Sequence, residues 1–468
     1  MSVNGTPPAV HLVGVGGVGM SAIALVLASR GHRVSGSDRA ASRITARLAE
    51  LGVRIDSGHA ASNVGDAQMV IISTAIRPEN PEIIEAQRLG IPVVHRSEAL
   101  ASILDAGVGV AITGTHGKTT TTGLAAMAFE RAGLDPTVLV GGELFGPGGT
   151  ARVGQGEHII AEVDESDGSL LRIHPMWTIV TNLEMEHHDH YRDEAHLSET
   201  FSQFLAQVRD GGGAVLCHDD PRLAPLRAVA PCRVWSHSLA DSTADYHATD
   251  LRISTDGPHF AVESRDEGRL CDVALSVPGL HNVLNATAVV ALAHRMGLEL
   301  DTVAAGLGEF RGVRRRFDRR GTAQGVTVID DYAHHPTELR ATLETARTMY
   351  PEGRLVAVFQ PHRYSRTRGL WREFAGALGK AVDHLVITEI YPAGEAPIEG
   401  VSARMICDAL ENNGTGEWAY CPTLDEVVAH LRETVRPGDC VLTLGAGDVW
   451  QAGEALLEQL GCDSSVPA

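Results

Sequence analysis

The stretch VAITGTHGKTTTTGLA, from Val110 to Ala125, has the residue types and spacing of a phosphate-binding loop. A short apolar strand runs into Gly114, and Lys118 and Thr119 then open a run of helical character. Glycines let backbone amides approach phosphate oxygens, and the dipole of the following helix adds about half a positive charge. The lysine would contact the β and γ phosphates, and the threonine hydroxyl would bind Mg²⁺. The stretch departs from the common pattern at Ile112, where a glycine is usual, and it still predicts a nucleotide site.

Lysine usage favours the same interpretation. Lys118 and Lys380 are the only lysines in 468 residues, although the chain has 39 basic residues in all. One of the two stands at the position where a phosphate loop requires an ammonium group. An ordinary strand-to-helix turn with a surface lysine is therefore the weaker interpretation.

A second glycine-rich turn lies near the N-terminus, in VHLVGVGGVGMSA. An apolar strand precedes Gly16, Gly17 and Gly19, an apolar helix follows, and Asp38 ends the next strand. This order is typical of a dinucleotide-binding unit, with a diphosphate at the helix N-terminus and an acid for a ribose. The residues leave NAD(P), FAD and a nucleotide sugar open as ligands, and a turn that binds nothing is the alternative.

Polar residues also follow the strands of later βα units. Ser73 and the pair His95 and Arg96 come at the ends of apolar strands. Because ligands of parallel sheets bind at the carboxyl edge, these side chains belong to the same predicted site. The alternation of strands and helices predicts an α/β protein.

The central part of the chain carries candidate metal ligands. The strand HIIAEVDES places Glu162 inside an apolar stretch, where a carboxylate is costly unless it is paired or bound to a metal. A solvated acidic turn accounts for the residues that follow, Asp164, Glu165 and Asp167. His187, the first histidine of LEMEHHDHY, comes after a strand of the same predicted sheet, which makes it a candidate ligand.

Two further segments are rich in polar residues. Asn282 and Asn285 begin a helix after Pro278, where asparagines either cap the helix or face a base and a ribose. The run GVRRRFDRRG is either a solvated, salt-bridged face or the source of an arginine for the γ-phosphate. Its arginines are Arg314, Arg315, Arg316, Arg319 and Arg320.

Length, charge and cysteine content limit the class of protein. A chain of 468 residues suggests three domains of about 150 residues each. The net charge of −20 argues against binding to nucleic acid or to an anionic membrane. The seven cysteines are far apart and form no CxxC pair, as expected for a reduced, cytoplasmic protein. There is no basic leader of a signal peptide and no apolar run of membrane-spanning length. The sequence does not distinguish a monomer from a dimer.

Taken together, these segments resemble the Mur ligase family from end to end. The matching stretches are GVGGVGMSA, TGTHGKTTT, EVDESD, TNLEMEHHDHY, HNVLNA, GVRRRFD, DDYAHHPTE and QPHRYSRT. Each is a weak signal alone, whereas all of them in the family's order are specific. The glycine-rich start and the last two stretches are most similar to the member that attaches L-alanine to UDP-N-acetylmuramate. Members that add later residues, or that recycle intact peptides, resemble this chain less.

The resemblance implies ATP-dependent amide formation with Mg²⁺ as cofactor. The carboxylate of UDP-N-acetylmuramate would become an acyl phosphate, and the amine of L-alanine would then displace phosphate. The implied fold is α/β with three domains. They are a Rossmann-like UDP-sugar domain (1–106), a central P-loop ATPase domain with a mostly parallel sheet (107–312) and a Rossmann-like amino-acid domain (313–468).

The resemblance also assigns site residues. Those for the UDP-sugar are Gly16, Gly17, Val18, Gly19, Met20, Ser21, Asp38, Ser73, His95 and Arg96. Those for ATP are Gly114, Thr115, His116, Gly117, Lys118, Thr119, Thr120, Asn282, Asn285, Arg316 and Asp331. The implied metal ligands are Thr119, Glu162 and His187, and the implied alanine-binding residues are His362, Arg363 and Arg366. The implied catalytic residues are Lys118, Arg316, His187 and His335, the last as base for the alanine amine.

Two departures from the family pattern concern the metal site. Glu186 stands where the family commonly has aspartate before the histidine. Members that add later residues also use a carbamylated lysine in the central domain, and this chain has no lysine between Lys118 and Lys380.

Other classes of function make different predictions. A nicotinamide oxidoreductase built on the first glycine-rich turn would leave the Lys118 loop without a role. An ATP-dependent switch without ligase chemistry would not need two further substrates for phosphate release. A ligase that recycles murein peptides is the alternative within the family.

Overall fold

A computed structural model describes residues 5–144, 149–166, 168–187, 190–254, 256–412 and 416–461. The chain forms two compact units. The first comprises residues 1–253, 257–277 and 281–311, and the second comprises residues 254–256, 278–280 and 312–468. None of the described helices is long and apolar enough to cross a bilayer.

The first sheet is formed by alternating strands and helices at the start of the first unit. Its elements are β1 (Ala9–Val13), α1 (Val18–Ser29), β2 (Arg33–Asp38), α2 (Arg43–Glu50), β3 (Arg54–Ser57), β4 (Met69–Ile72), α3 (Pro81–Leu89), β5 (Val93–His95) and α4 (Arg96–Leu104), with a 3₁₀ turn at Ala61–Val64. The strand order is β3-β2-β1-β4-β5, and neighbouring strands are parallel. β1 reads AVHLV and is buried throughout, as expected for a parallel strand covered on both faces.

The second sheet of the first unit has ten strands among the described residues. Its elements are β6 (Val108–Thr113), α5 (Lys118–Arg131), β7 (Thr137–Leu144), β8 (Gly149–Arg152), β9 (His158–Glu162), β10 (Trp177–Val180), α6 (Glu194–Leu205), β11 (Gly213–Cys217), α7 (Ala224–Val229), β12 (Val234–Ser238), β13 (Tyr246–Ser254), β14 (Gly257–Ser264), β15 (Gly268–Ala274), α8 (Leu280–Arg295) and α9 (Leu300–Glu309), with a 3₁₀ turn at Ser169–Arg172. The order is β15-β14-β13-β12-β11-β10-β6-β9-β7-β8. β6 lies inside the parallel part, between β10 and β9, so the loop after it projects from the middle of the carboxyl edge.

In the part of the second unit that the structure describes, six strands form one sheet. Its elements are β16 (Asp318–Ala323), β17 (Val326–Asp331), α10 (Pro336–Met349), β18 (Leu355–Phe359), α11 (Tyr364–Leu378), β19 (His384–Ile387), α12 (Arg404–Asn412), β20 (Glu417–Tyr420), α13 (Leu424–Thr434), β21 (Cys440–Leu444) and α14 (Trp450–Gln459). The order is β16-β17-β21-β18-β19-β20, and only the β16–β17 pair among these described strands is antiparallel. The predicted α/β class with mostly parallel sheets is confirmed.

A fully buried carboxylate lies beneath the first sheet. Glu82, at the start of α3, has no exposed surface and accepts hydrogen bonds from Ser37 Oγ (2.7 Å) and Asn63 Nδ2 (2.6 Å). His59 Nδ1 and His11 Nε2 lie 3.2 Å and 3.7 Å from its oxygens. Burial would raise the pKa of Glu82, but these partners outweigh burial and lower it to about 2.

Replacing Glu82 by glutamine should therefore destabilise the protein in a pH-dependent way. A lowered carboxyl pKa gives stability that is present above the ordinary value of 4.5 and is lost as the pH falls towards about 2. We expect a loss of about 3 kcal/mol in unfolding free energy for Glu82→Gln at neutral pH, because a buried charge network is broken. Chemical unfolding at neutral pH and at a pH inside that window measures both values, and the difference should shrink in acid. Glu85→Gln on the same helix is the control and should leave the unfolding midpoint unchanged. An equal loss for Glu82→Gln at both pH values would contradict the ionised state of Glu82.

Candidate active site

The loop between β6 and α5 is held by the segment that follows β10. Gly114 has a φ of 122°, and a Cβ at this position would lie 2.3 Å from Thr181 Oγ1, so only glycine fits. The amides of Thr115 and His116 donate to the backbone oxygen (3.0 Å) and the side-chain oxygen (2.9 Å) of Asn182. The loop conformation is thus fixed by contacts with the neighbouring strand end.

The N-terminus of α5 can receive an anion. Gly117, with a φ of 82°, precedes the helix and supplies no side-chain cap. The first-turn amides, those of Thr119 and Thr120 among them, are therefore not satisfied by a capping side chain, and the helix dipole favours negative charge there. This is the arrangement expected of a phosphate cradle.

Two asparagines of α8 pack against the loop. A Cβ at Gly117 would lie 3.2 Å from Asn285 Oδ1, and Asn285 Nδ2 donates to Asn282 Oδ1 at 3.4 Å. Both residues are buried and lie within α8, which begins at Leu280. Neither asparagine therefore stands at the N-cap position of this helix.

Lys118 forms a buried ion pair. Its Nζ donates to Gly114 O (2.6 Å), Thr115 O (3.0 Å) and Glu165 Oε2 (2.8 Å). The side chain of Lys118 is 14 % exposed and that of Glu165 is 2 % exposed. Burial would lower the pKa of Lys118, but Glu165 and Asp164 outweigh burial and raise it, so the lysine is positively charged. The prediction that Glu165 belongs to a solvated turn is wrong, because the pairing of β9 with β6 places the Glu165 carboxylate beside Lys118.

Thr119 and Glu162 offer oxygen ligands for a cation beside the loop. Thr119 Oγ1 donates to Glu162 Oε1 at 3.1 Å, and Gly141 N donates to Glu162 Oε2 at 2.7 Å. Burial raises the pKa of Glu162, with Lys118 acting in the opposite direction. A hydroxyl and a carboxylate are oxygen donors of the kind that Mg²⁺ prefers, so the pair fits this cation.

His187 lies in a second group of possible ligands. Ligand atoms of Asp164, Glu165 and His187 lie within 4.8 Å of one another, and His187 Nε2 is 3.4 Å from Glu165 Oε1. Glu186 Oε2 lies 3.9 Å from the same imidazole nitrogen. Burial would lower the pKa of His187, but the neighbouring carboxylates of Glu165, Glu186 and Asp164 together outweigh burial and raise the pKa. Glu165 is not among the predicted site residues, because no local pattern distinguishes it from an exposed acid.

Asp167 of the segment EVDESD and His188 of the segment LEMEHHDHY lie outside the described residues.

The carboxyl edge of the first sheet borders a cavity of about 720 Å³. Its lining includes the predicted site residues Gly17, Met20, Asp38 and Ser73, and also Gly14 and Ile76 of the same two stretches. Arg39, His59 and Arg77 also line it and were not predicted. Gly14, with a φ of 77°, makes the sharp turn from β1. The cavity volume is suited to a nucleotide-sized ligand.

Other predicted residues of the first sheet have structural contacts. Asp38 Oδ2 accepts from Gly16 N at 2.9 Å, and Ser21 Oγ donates to Val18 O at 2.8 Å within α1. Such contacts do not prevent an additional bond to a ligand, since a carboxylate has several acceptor sites.

Arg96 connects the two sheets of the first unit. A Cβ at Gly19 would lie 3.1 Å from Arg96 NH1, while Arg96 NH2 is 3.5 Å from Asp164 Oδ2. His95, the residue before it, caps α4 by accepting from Ser97 N at 3.3 Å. Arg96 thus stands between the glycine turn of the first sheet and the acidic segment beside Lys118.

In the second unit, Asp331 ends β17 and is buried. Its two carboxylate oxygens accept from Phe317 N and Ala333 N, each at 2.7 Å. Burial raises its pKa to about 6, against the effect of the neighbouring Arg316. Arg316 lies over the ring of Tyr332 at 5.2 Å, so this arginine is not part of a fully solvated face.

The predicted base and the predicted alanine-binding residues are also in the second unit. His335 caps α10, with Nδ1 accepting from Thr337 N at 3.4 Å, so proton transfer by this imidazole would use Nε2. His362 Nδ1 lies 3.1 Å from Arg366 NH1, and Arg363 between them has a φ of 69°. The structure therefore brings His362 and Arg366 together at the start of α11.

Comparison with known proteins gives matches along the chain. Residues 9–107 match the Mur ligase family catalytic domain, residues 112–293 the Mur ligase middle domain and residues 315–447 the Mur ligase glutamate ligase domain.

Two similar proteins are named UDP-N-acetylmuramate–L-alanine ligase. The one from Syntrophotalea carbinolica is 46 % identical over 451 residues, which cover 96 % of this chain and 98 % of that protein. The one from Rubrobacter xylanophilus is 49 % identical over 454 residues, which cover 96 % and 100 %.

Two solved structures share the fold. The UDP-N-acetylmuramate-alanine ligase of Thermotoga maritima has a TM-score of 0.80 at 32 % identity, covering 96 % of this chain and 98 % of that chain. A murein peptide ligase from Psychrobacter arcticus has a TM-score of 0.72 at 24 % identity, covering 99 % and 100 %, and this likeness concerns the fold alone.

Proposed function

The chain belongs to the Mur ligase family, and from this we propose that it joins L-alanine to the carboxylate of UDP-N-acetylmuramate in an ATP-dependent reaction. The products are UDP-N-acetylmuramoyl-L-alanine, ADP and phosphate. The observation that carries the proposal is the buried Lys118 ammonium at the start of α5, with Thr119 and Glu162 beside it. The similarity of the whole chain to L-alanine ligases supports the choice of substrates.

The first half-reaction transfers a phosphoryl group. An oxygen of the muramate carboxylate attacks the γ-phosphorus, the bond to the β-phosphate oxygen breaks, and ADP leaves. Both reactants are anions, so positive charge must be fixed where charge accumulates. Lys118 and the α5 amides supply it from the loop, and we assign Arg316 to the same phosphoryl group. Mg²⁺, when bound, neutralises phosphate charge, and Thr119, Glu162 and His187 are the residues that would hold it.

The second half-reaction forms the amide bond. The alanine nitrogen attacks the acyl carbon, the bond from that carbon to the phosphate oxygen breaks, and the nitrogen loses a proton. We propose His335, through Nε2, as the acceptor of this proton, and His362, Arg363 and Arg366 as the groups that bind alanine. Asp331 would accept from the ATP ribose, with Asn282 and Asn285 on the nucleotide side.

Each of the three predicted domains is assigned one ligand. We propose that residues 1–106 bind the UDP-sugar in the 720 Å³ cavity, that residues 107–312 bind ATP and that residues 313–468 bind alanine.

The use of ATP supports a cytoplasmic place of action.

A phosphate-release assay tests the function. Release is expected only when ATP, UDP-N-acetylmuramate and L-alanine are all present, with the amide product identified by its mass. Release without alanine would indicate an ATPase or switch instead of a ligase. A preference for an intact murein peptide over alanine would assign the chain to peptide recycling.

Replacing Glu162 by glutamine should raise the Mg²⁺ requirement without unfolding the chain. An amide keeps the hydrogen bond from Gly141 N but loses the charge that favours Mg²⁺. We expect the half-saturating Mg²⁺ concentration to rise about tenfold or more, as for other losses at a metal site. A Mg²⁺ titration of turnover measures this, and Glu157→Gln, at the exposed residue immediately before β9, is the control. A wild-type titration curve for Glu162→Gln would remove this residue from the metal site.

Turnover should not depend on dissolved carbon dioxide. A lysine carbamate cannot form in the central domain after the loop, because no lysine lies between Lys118 and Lys380. We therefore expect enzyme stripped of carbon dioxide to show unchanged turnover when bicarbonate is added. A reversible several-fold rise would show that the metal site contains a group other than those named above.

A further inference from the structure

All three protons of the Lys118 ammonium are donated to protein oxygens. Two go to the loop carbonyls of Gly114 and Thr115, and the third goes to Glu165 Oε2 at 2.8 Å. Because an ammonium has three donors, a phosphate oxygen can be bound directly only if one acceptor withdraws. The carbonyls are fixed by the loop backbone, whereas the Glu165 carboxylate can turn about its side-chain bonds.

Glu165 has a second oxygen directed towards other ligand atoms. Its Oε1 is buried and has no hydrogen-bond partner among the described residues, and it lies 3.4 Å from His187 Nε2. The ligand atoms of Asp164, Glu165 and His187 all lie within 4.8 Å of one another. The backbone at this point is fixed, since Tyr191 OH donates to Glu165 O at 2.6 Å. The carboxylate therefore lies between a lysine on one side and a candidate cation group on the other.

We propose that Glu165 competes with nucleotide phosphate for Lys118, and that a divalent cation bound by Asp164, Glu165 and His187 ends this competition. Withdrawal of Glu165 from Lys118 without a replacement would leave a buried carboxylate without a counter-charge, which is costly. A cation supplies that charge and so releases the ammonium for phosphate. Glu165 is in this view a positioning residue that couples metal binding to nucleotide binding. The inference rests on the proposed ATP site.

This coupling is reciprocal by linkage, because each ligand must raise the affinity of the other by the same factor. It adds to the direct contact that a metal makes with phosphates in the same site. Removing the charge of Glu165 should therefore affect nucleotide binding most strongly when no metal is present. A residue with a purely structural role would not produce that pattern.

The experiment is a calorimetric titration with a non-hydrolysable ATP analogue, in EDTA and in saturating Mg²⁺. For Glu165→Gln we expect the Kd in EDTA to fall about tenfold, within the usual range of coupling factors. The Kd in Mg²⁺ should stay within about threefold of wild type, because Lys118 is then already released. An unchanged or higher Kd in EDTA overturns the inference.

Two further variants separate this coupling from general electrostatics. Asp164→Asn removes the same charge from the same group without a direct hydrogen bond to Lys118, and its Kd in EDTA should change less than about threefold. In a Lys118→Ala background, Glu165→Gln should no longer tighten binding, since the competing partner is gone. Equal tightening by Asp164→Asn, or tightening without Lys118, overturns the inference. If wild type binds no analogue under either condition, the proposed function itself falls. If wild type binds and Glu165→Gln matches it, only the inference falls.

Discussion

Replacing Lys118 by arginine should lower turnover about 10³-fold, the size of effect typical for loss of a fixed charge on a transferring phosphoryl group. The Lys118 ammonium fits among three oxygens at 2.6, 2.8 and 3.0 Å, and its side chain is largely buried. A guanidinium is planar and broader, and its donors form a fork that this compact set of acceptors does not match. We therefore expect the arginine variant to fold but to lose most of its phosphoryl transfer.

The chain offers a matched control for this prediction. Lys380 is the only other lysine and is exposed, so Lys380→Arg should have wild-type turnover. An amine-reactive ATP derivative should modify Lys118, with Lys380 at most a minor site. A Lys118→Arg enzyme that retains a tenth of wild-type turnover would mean that the loop does not use its lysine as proposed.

Replacing Arg316 by alanine should abolish turnover while UDP-N-acetylmuramate still binds. We assign this arginine to the γ-phosphoryl group, and loss of such an arginine costs about 10³-fold or more in rate. Its guanidinium lies over the ring of Tyr332 and 3.6 Å from Glu338 Oε1, and truncation to alanine leaves the backbone in place, so the fold should persist. Steady-state turnover and the Kd of the UDP-sugar, measured on the same preparation, test both parts.

Arg319 provides the control within the same basic run. It is exposed and donates to Thr322 Oγ1, and Arg319→Ala should leave turnover unchanged. If Arg316→Ala turns over at a tenth of the wild-type rate, Arg316 is not a catalytic arginine.

Arg315 and Arg320 of this run have partners within the second unit. Arg315 donates through Nε to Asp330 Oδ2 at 3.1 Å and through NH2 to Gly445 O at 2.7 Å. Arg320 pairs with Asp318 and Glu454. The local composition of the run does not reveal these partners, which depend on how the second unit folds.

The sequence by itself determined the features that depend on a few neighbouring residues. Strand, glycine turn and helix follow one another at Gly114 to Lys118 and at Gly14 to Val18, because glycine permits the turn and apolar runs require burial. The α/β class and the mostly parallel sheets followed from the same local order. The motif order along the chain was also sufficient to indicate the family, which the comparisons confirm.

The partners of the charged groups were decided only by the tertiary structure. Glu165 is separated from Lys118 by 47 residues, and it becomes its counter-ion because β9 lies beside β6 in the sheet. Nothing in the acidic segment DESD distinguishes that carboxylate from a solvated one. The burial of a side chain depends on which distant elements of the fold pack against it. Likewise, His335 caps a helix and Asp38 binds a backbone amide, and these contacts depend on distances that local sequence does not fix. Local sequence sets backbone conformation over a few residues, whereas electrostatic partners are set by the order in which distant strands assemble.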